Sequence, residues 1–231
     1  MSQLFELPDP VVAPVAGGGA GFPVRRIFCV GRNYEAHARE MGKDPDRDPP
    51  FFFTKFAETV CPDGAVIPYP PGTSNYHYEA ELVVAIDKSG RNIPVEAAND
   101  YVFGYATGLD MTRRDLQLTA REQGRPWDTG KNFEESAPLG LIHPASETGY
   151  LDSGAIWLKV NGETKQEADL ADLIWPVADI IAFLSQLYTL QPGDLIYTGT
   201  PAGVGPVVAG DTIDMHIDGL TPLQVKIAEA V

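Results

Sequence analysis

Apolar and polar positions alternate along much of this chain with a period of two. Segments with the 3.6-residue period of a helix are few. VRRIFCVG from Val24, PFFFTKF from Pro50, the stretch around AVIPYP, and NYHYEAELVVAI from Asn75 to Ile86 read as extended segments. YVFGYATGLD, which ends at Asp110, reads as another strand. In the C-terminal half IWLKV, LIYTG, TIDMHI and LQVKIA are strands. Asn161-Gly162, between IWLKV and ETKQEA, predicts a type I′ hairpin, because both residues tolerate the positive φ that turn needs. Three helices are predicted. YEAHAREM follows a capping Asn33 and stops at Gly42. RRDLQLTAREQ is opened by Thr112 and Asp115 as a capping-box variant and closed by Gly124, with Pro126 beyond. VADIIAFLSQL follows Pro176 and places Ile180, Ile181, Leu184 and Leu187 on one face. Regular βαβ alternation is absent. The predicted class is α+β, mainly β with a few short helices, and the pattern argues against a doubly wound nucleotide fold.

Residues 1–23 are rich in Pro, Gly and Ala and include GGGAG at 17–21, so they read as an N-terminal arm. One main domain spans 24–231. KDPDRDPP is a charged, proline-rich loop. No apolar run approaches the roughly 20 residues of a membrane helix. MSQLFELPDP lacks the basic start and apolar core of a signal peptide, so a cytoplasmic protein is expected. Lys and Arg total 17 against 32 Asp and Glu, a formal net charge of -15. That balance argues against nucleic acid and anionic membranes as partners and suits a site that holds a cation. Cys29, inside IFCVG, reads as a buried, inert thiol. It shares no CxxC spacing with Cys61, and no disulfide is expected.

The candidate chemistry starts in NYHYEAELVVAI. Alternation puts His77, Glu79, Glu81, Val83 and Ala85 on one side of the strand and Tyr78, Ala80, Leu82 and Val84 on the other. Two carboxylates heading into an apolar face need a counter-charge, which a divalent cation would supply. Oxygen ligands favour Mg²⁺, Ca²⁺ or Mn²⁺ over zinc. An exposed edge strand with two solvated acids fits the same letters. Asp110 is a possible third carboxylate, or a support for the turn at Thr112. His37 and Glu40, three apart on the first helix, form either a water-activating dyad or a surface pair. Lys131, in a loop after a glycine, would stabilise an oxyanion or stay solvated. GTPAGVGP lacks the Lys-Ser/Thr ending of a P-loop, and neither GxGxxG nor GxSxG is present.

GRNYEAHARE, PFFFTKF, YHYEAELVVAI, GYATGLDMTRRDLQ, GRPWDTGKNFEESAPLG, WLKVNGE and PGDLIYTGTPAGVG together resemble the fumarylacetoacetate hydrolase family, in the family's order, over roughly residues 25 to 225. The short length and the GRNY…H opening resemble its small acylpyruvate hydrolase branch. The resemblance implies a mixed β-sandwich roll, a homodimer and a small-molecule keto-acid substrate. It implies Mg²⁺ or Mn²⁺, with Ca²⁺ able to replace them in crystals, held by Glu79, Glu81 and Asp110. It further implies His37 and Glu40 as the dyad on a lid segment, Lys131 and Gln117 at the oxyanion, and substrate contacts from Arg32, Lys55, Arg114 and Thr200. The expected reaction is hydrolysis of a carbon–carbon bond in an acylpyruvate, with fumarylpyruvate favoured. Oxaloacetate decarboxylation, or isomerisation or hydration of a related keto acid, is the alternative. Arg32, Arg39 and Arg113 are candidate cations for a second substrate carboxylate.

Overall fold

The strand Ala80–Ile86 is buried on both faces, and each face meets its own core. Ala80, Leu82, Val84 and Ile86 join the larger cluster, with Ile156, Leu158, Ile213 and Met215 from a second sheet and Ile180, Ile181 and Leu184 from the helix Val177–Leu187. Val83 and Ala85 join the smaller cluster, with Ile27, Cys29, Ala106, Leu195 and Tyr197. The two sets are those that alternation separates. The computed structural model describes residues 4–6, 8–36 and 49–230. The first predicted helix from His37 onward, and with it His37, Arg39 and Glu40, lies outside the described residues.

The architecture is mainly β with short helices. The eight-stranded sheet runs in the order Phe51–Lys55, Arg26–Gly31, Asp194–Tyr197, Ala80–Ile86, Val102–Leu109, Ala137–Leu139, Val60–Pro62, with His143–Pro144 also paired to Val102–Leu109. The five-stranded sheet runs Glu163–Asp169, Ala155–Val160, Thr212–Ile217, Leu223–Ala228, Val66–Pro68. Asp194–Tyr197 lies parallel to Arg26–Gly31, with Asp194 opposite Arg26. That register lets the Arg26 guanidinium grip the buried Asp194 carboxylate through two hydrogen bonds, at 2.9 and 2.6 Å. Val12–Ala13 pairs with Phe22–Pro23, and Ala13 and Phe22 are buried in the smaller cluster. Among the described residues no helix is long and apolar enough to cross a membrane.

The Asn161-Gly162 turn forms as predicted, with φ of 52° and 81° and Val160 opposite Glu163. Four other expectations are corrected. NYHYEAELVVAI is two strands rather than one. Tyr76–Tyr78 joins a small three-stranded sheet, and the ladder breaks at Glu79 because a side chain, Gln166 Oε1, accepts the Ala80 N–H. The helix Arg114–Glu122 is not capped by Thr112. Thr112–Arg113 pairs with Tyr76–Tyr78, and the Thr112 hydroxyl bonds to Asp110 O and Lys131 Nζ instead. The helix start is anchored by Asp115, which accepts from Thr73 Oγ1, the Ser74 N–H and the Leu116 N–H. Its end is as predicted, with Gly124 at φ 62°. Leu187, expected on the buried face of its helix, is 62% exposed, because the helix ends there and Tyr188 packs on Phe28 instead. Lys131 ends a one-turn helix, Asp128–Lys131, and is buried rather than lying in a solvated loop.

Candidate active site

Glu79 occupies the break between two strands, and Glu81 lies two residues further into the core. Asp110 follows Val102–Leu109, the antiparallel partner of Ala80–Ile86, in a register that sets Leu109 opposite Ala80. The Asp110 N–H donates to Glu79 O at 2.9 Å, which closes the pair. Strand pairing thus gathers three buried acids whose ligating oxygens lie within 4.8 Å of one another. Oxygens sharing one divalent cation at about 2.1–2.4 Å each would stand at most about 4.2–4.8 Å apart, so the three acids are close enough to share one ion.

Three buried cations surround them. Lys131 Nζ donates to Glu79 Oε2 at 2.8 Å, to Asp110 Oδ2 at 2.7 Å and to Thr112 Oγ1 at 2.7 Å. Lys55 Nζ pairs with Asp110 Oδ1 at 2.9 Å and donates to Met111 O, Ser136 Oγ and Lys131 O. Arg114 donates to Glu79 Oε1 through one amino group and to Gln117 Oε1 at 2.8 Å through the other. Glu81 differs: among the described residues it accepts the Gly199 N–H at 2.8 Å and has no ion pair. Burial, and then the nearby Asp110 and Glu79, push its carboxyl well above the usual range. Burial acts to lower the Lys131 ammonium, but Asp110 and Glu79 outweigh it and hold the group above its ordinary value. Among the described residues, one acid of the cluster therefore has no counter-charge of its own, and its burial favours the protonated form.

Glu79, Glu81, Arg114, Gln117, Lys131 and Thr200 line one narrow cavity, together with Arg32. Asp110 and Lys55 are not among its lining residues and brace it from behind. Arg32 has φ 59°, a left-handed conformation that is uncommon for a residue with a side chain. An arginine can only donate, so the bond from Arg114 to Gln117 Oε1 fixes the amide and leaves the Gln117 NH₂ as a donor. His77 completes the support. Its Nδ1 accepts from Arg114 Nε at 3.4 Å and its Nε2 faces Asn75 Oδ1 at 2.8 Å. Burial and then the Arg114 charge lower this imidazole to about 4, so it is neutral near pH 7.

Two supporting residues have no signal in the sequence pattern. Gln166 is buried although it lies in the polar hairpin strand ETKQEA. Its Nε2 donates to Thr200 Oγ1 and Pro201 O, each at 2.8 Å, and its Oε1 holds Ala80. Ser136 bonds to Lys55 and also donates to Lys131 O. Only the missing room for a solvated amide around Gln166, a tertiary fact, identifies it.

Comparisons with known proteins agree with this geometry. The model of the fumarylacetoacetate hydrolase C-terminal family matches residues 26–228. The fumarylpyruvate hydrolase of Ralstonia sp is 52% identical over 192 residues, which cover 82% of this chain and 100% of that protein. The Homo sapiens mitochondrial oxaloacetate tautomerase is 41% identical over 203 residues, 88% of this chain and 91% of that protein. The crystal structure of fumarylpyruvate hydrolase from Pseudomonas aeruginosa in complex with Mn²⁺ and pyruvate superposes with a TM-score of 0.97 at 52% identity, covering 99% of this chain and 100% of that one. The chain belongs to the fumarylacetoacetate hydrolase family.

Proposed function

We propose that this protein hydrolyses fumarylpyruvate to fumarate and pyruvate, with a divalent cation, Mg²⁺ or Mn²⁺, held by Glu79, Glu81 and Asp110. One observation carries the reading: a buried Glu81 with no ion pair among the described residues, in a three-carboxylate cluster beside Lys131 and Gln117, in a chain 52% identical to a fumarylpyruvate hydrolase. The donor set is all carboxylate oxygen, which fits a hard cation. When bound, such an ion supplies Lewis acidity and a template for a 2-oxo acid.

The chain's own groups do the rest. His37, oriented by Glu40, takes a proton from water, and the hydroxide adds to the carbonyl of the acyl arm. The Lys131 ammonium and the Gln117 NH₂ donate to the oxygen on which charge develops. The carbon–carbon bond then breaks, and the electron pair passes into the 2-oxo end. The proton held by His37 returns to the carbon that becomes the pyruvate methyl group. Water, substrate and the two acids balance without a further reactant. Arg114 holds Glu79 and Gln117 in place, and Thr200 and Arg32 border the cavity that receives the 2-oxo acid.

The test is release of pyruvate from fumarylpyruvate, acetylpyruvate and oxaloacetate, with Mn²⁺ or Mg²⁺ and with a chelator. Fast turnover of a diketo acid, abolished by chelation, is the expected result. Turnover of oxaloacetate alone would move the protein to oxaloacetate chemistry.

A further inference from the structure

A second, wider cavity of about 490 Å³ opens beside the carboxylates. The two share Arg32, Phe53, Trp127 and Lys131. A molecule whose reacting carbonyl sits at Lys131 therefore has its remaining length in the wider space. One wall of that space is aromatic. Trp127 meets Phe51 edge-on, with centroids 5.2 Å apart, and Phe53 at 5.6 Å. The Arg32 guanidinium lies over Phe51 at 5.2 Å and over Trp127 at 5.9 Å, and Lys131 Nζ lies over Phe53 at 5.1 Å.

The wall is tied to the reacting end. The Lys131 N–H donates to Trp127 O at 2.9 Å, so one helical turn carries both side chains. It is also built around a missing side chain. Phe51 pairs with Gly31 across the sheet, and a Cβ on Gly31 would lie 1.9 Å from Phe51 Cζ. Gly31 has no positive φ, so what an added side chain would disturb there is the close approach of the Phe51 ring, which would have to move.

We propose that Phe51, Phe53 and Trp127 form the subsite for the acyl arm and select a flat, conjugated arm over a saturated one. The inference rests on the hydrolase reading above. A trans-enoyl carboxylate arm is planar and polarised, and it has few torsions to freeze against an aromatic face. Its saturated counterpart has the same charge and length but must lose rotor freedom to lie flat. Of the candidate cations for the arm's carboxylate, Arg113 stacks on Phe133 at 4.1 Å and is not among the lining residues of either cavity, whereas Arg32 lines both and lies over Phe51 and Trp127. Charge and aromatic faces thus belong to one wall, and the choice between flat and saturated arms of equal charge falls to the rings.

The experiment compares kcat/KM for fumarylpyruvate and succinylpyruvate in the wild type, Trp127→Leu, Trp127→Phe and Gly31→Ala. Using the change relative to wild type removes the intrinsic reactivity difference between the two substrates. Trp127→Leu is expected to lower the fumarylpyruvate value about tenfold more than the succinylpyruvate value. Trp127→Phe should keep most of the preference, and Gly31→Ala, by displacing Phe51, should erode it. Equal losses on both substrates overturn the proposal. Should Trp127→Leu fail to fold, Phe51→Leu decides by the same ratio. If the wild type releases pyruvate from no diketo acid, the hydrolase reading fails separately. Calorimetry of fumarate against succinate on the Mn²⁺-loaded protein then decides the subsite: a fumarate preference lost in Phe51→Leu and largely kept in Trp127→Phe sustains it, and no preference overturns it.

Discussion

Lys131 donates to Glu79 at 2.8 Å, and the same ammonium reaches Asp110 at 2.7 Å. One buried cation thus separates two acids that flank the ends of neighbouring strands. Removing one partner of a buried ion pair leaves uncompensated charge and costs about 3–5 kcal/mol. Lys131→Met is therefore expected to melt well below the wild type in chelator and to recover part of the loss when Mn²⁺ is added. Turnover should fall about 10²–10³-fold and stay low with metal, because the oxyanion donor is gone. Thermal melts with and without Mn²⁺, beside the pyruvate assay, check both halves. An unchanged melt in chelator would contradict the ion-pair account.

Glu81 gives the metal-free protein a pH dependence with a definite sign. Its folded carboxyl is held well above the unfolded value of 4.5, chiefly by burial. The group's contribution to stability is complete below that unfolded value and is lost as pH rises through the raised folded one. A cation that takes the ionised form expels the proton, so metal affinity rises with pH over the same window. Melting temperatures in chelator should fall with rising pH there, and added Mn²⁺ should flatten or reverse the trend. Glu81→Gln should remove the trend and weaken Mn²⁺ binding. A wild type that gains stability with pH across this window in chelator would refute the assignment to Glu81.

Gln166 joins the carboxylate strand to the loop at Thr200 through three hydrogen bonds. Gln166→Leu keeps much of the volume but leaves the Ala80 N–H and Pro201 O buried without this partner. The expected loss is about 1–3 kcal/mol for each such group. Because Thr200 loses its anchor as well, KM should rise more than kcat falls. A variant with wild-type stability and kinetics would show that the amide fixes nothing in the site.

Counting by two puts Glu79 and Glu81 on one face but leaves a solvated edge strand equally open; the family resemblance picks them out as ligands, and the fold shows both buried. The partition of Val83 and Ala85 from Leu82 and Val84 follows from the same count. The Asn161-Gly162 turn was legible because its φ angles are a local property of those residues. Asp110 needed strand register, which the letters do not carry. Lys55 and Lys131 look like ordinary solvated lysines, and only the acids around them show why they turn inward. Thr112 misled because its hydroxyl can serve a helix cap or a buried ammonium, and the tertiary partner won. The acylpyruvate reading came from the order of several motifs, and the similarity to fumarylpyruvate hydrolases supports it.

His37 and Glu40 lie outside the described residues, and their proposed role rests on spacing and family membership. An imidazole acts as a base only when neutral. Hydrolysis of an acylpyruvate should therefore rise with pH through the histidine's pKa, about 6.5 if unperturbed. Removing a general base costs about 10²–10⁴-fold. His37→Ala should lose that factor on fumarylpyruvate while its Mn²⁺ affinity and melting temperature match the wild type, since the proposed ligands are Glu79, Glu81 and Asp110. Glu40→Gln should lower the rate less and shift the pH limb. Loss of carbon dioxide from oxaloacetate needs no attacking water, so any such side activity should survive His37→Ala. A fumarylpyruvate rate that is flat from pH 5 to 8 and unchanged in His37→Ala would assign the base to another residue.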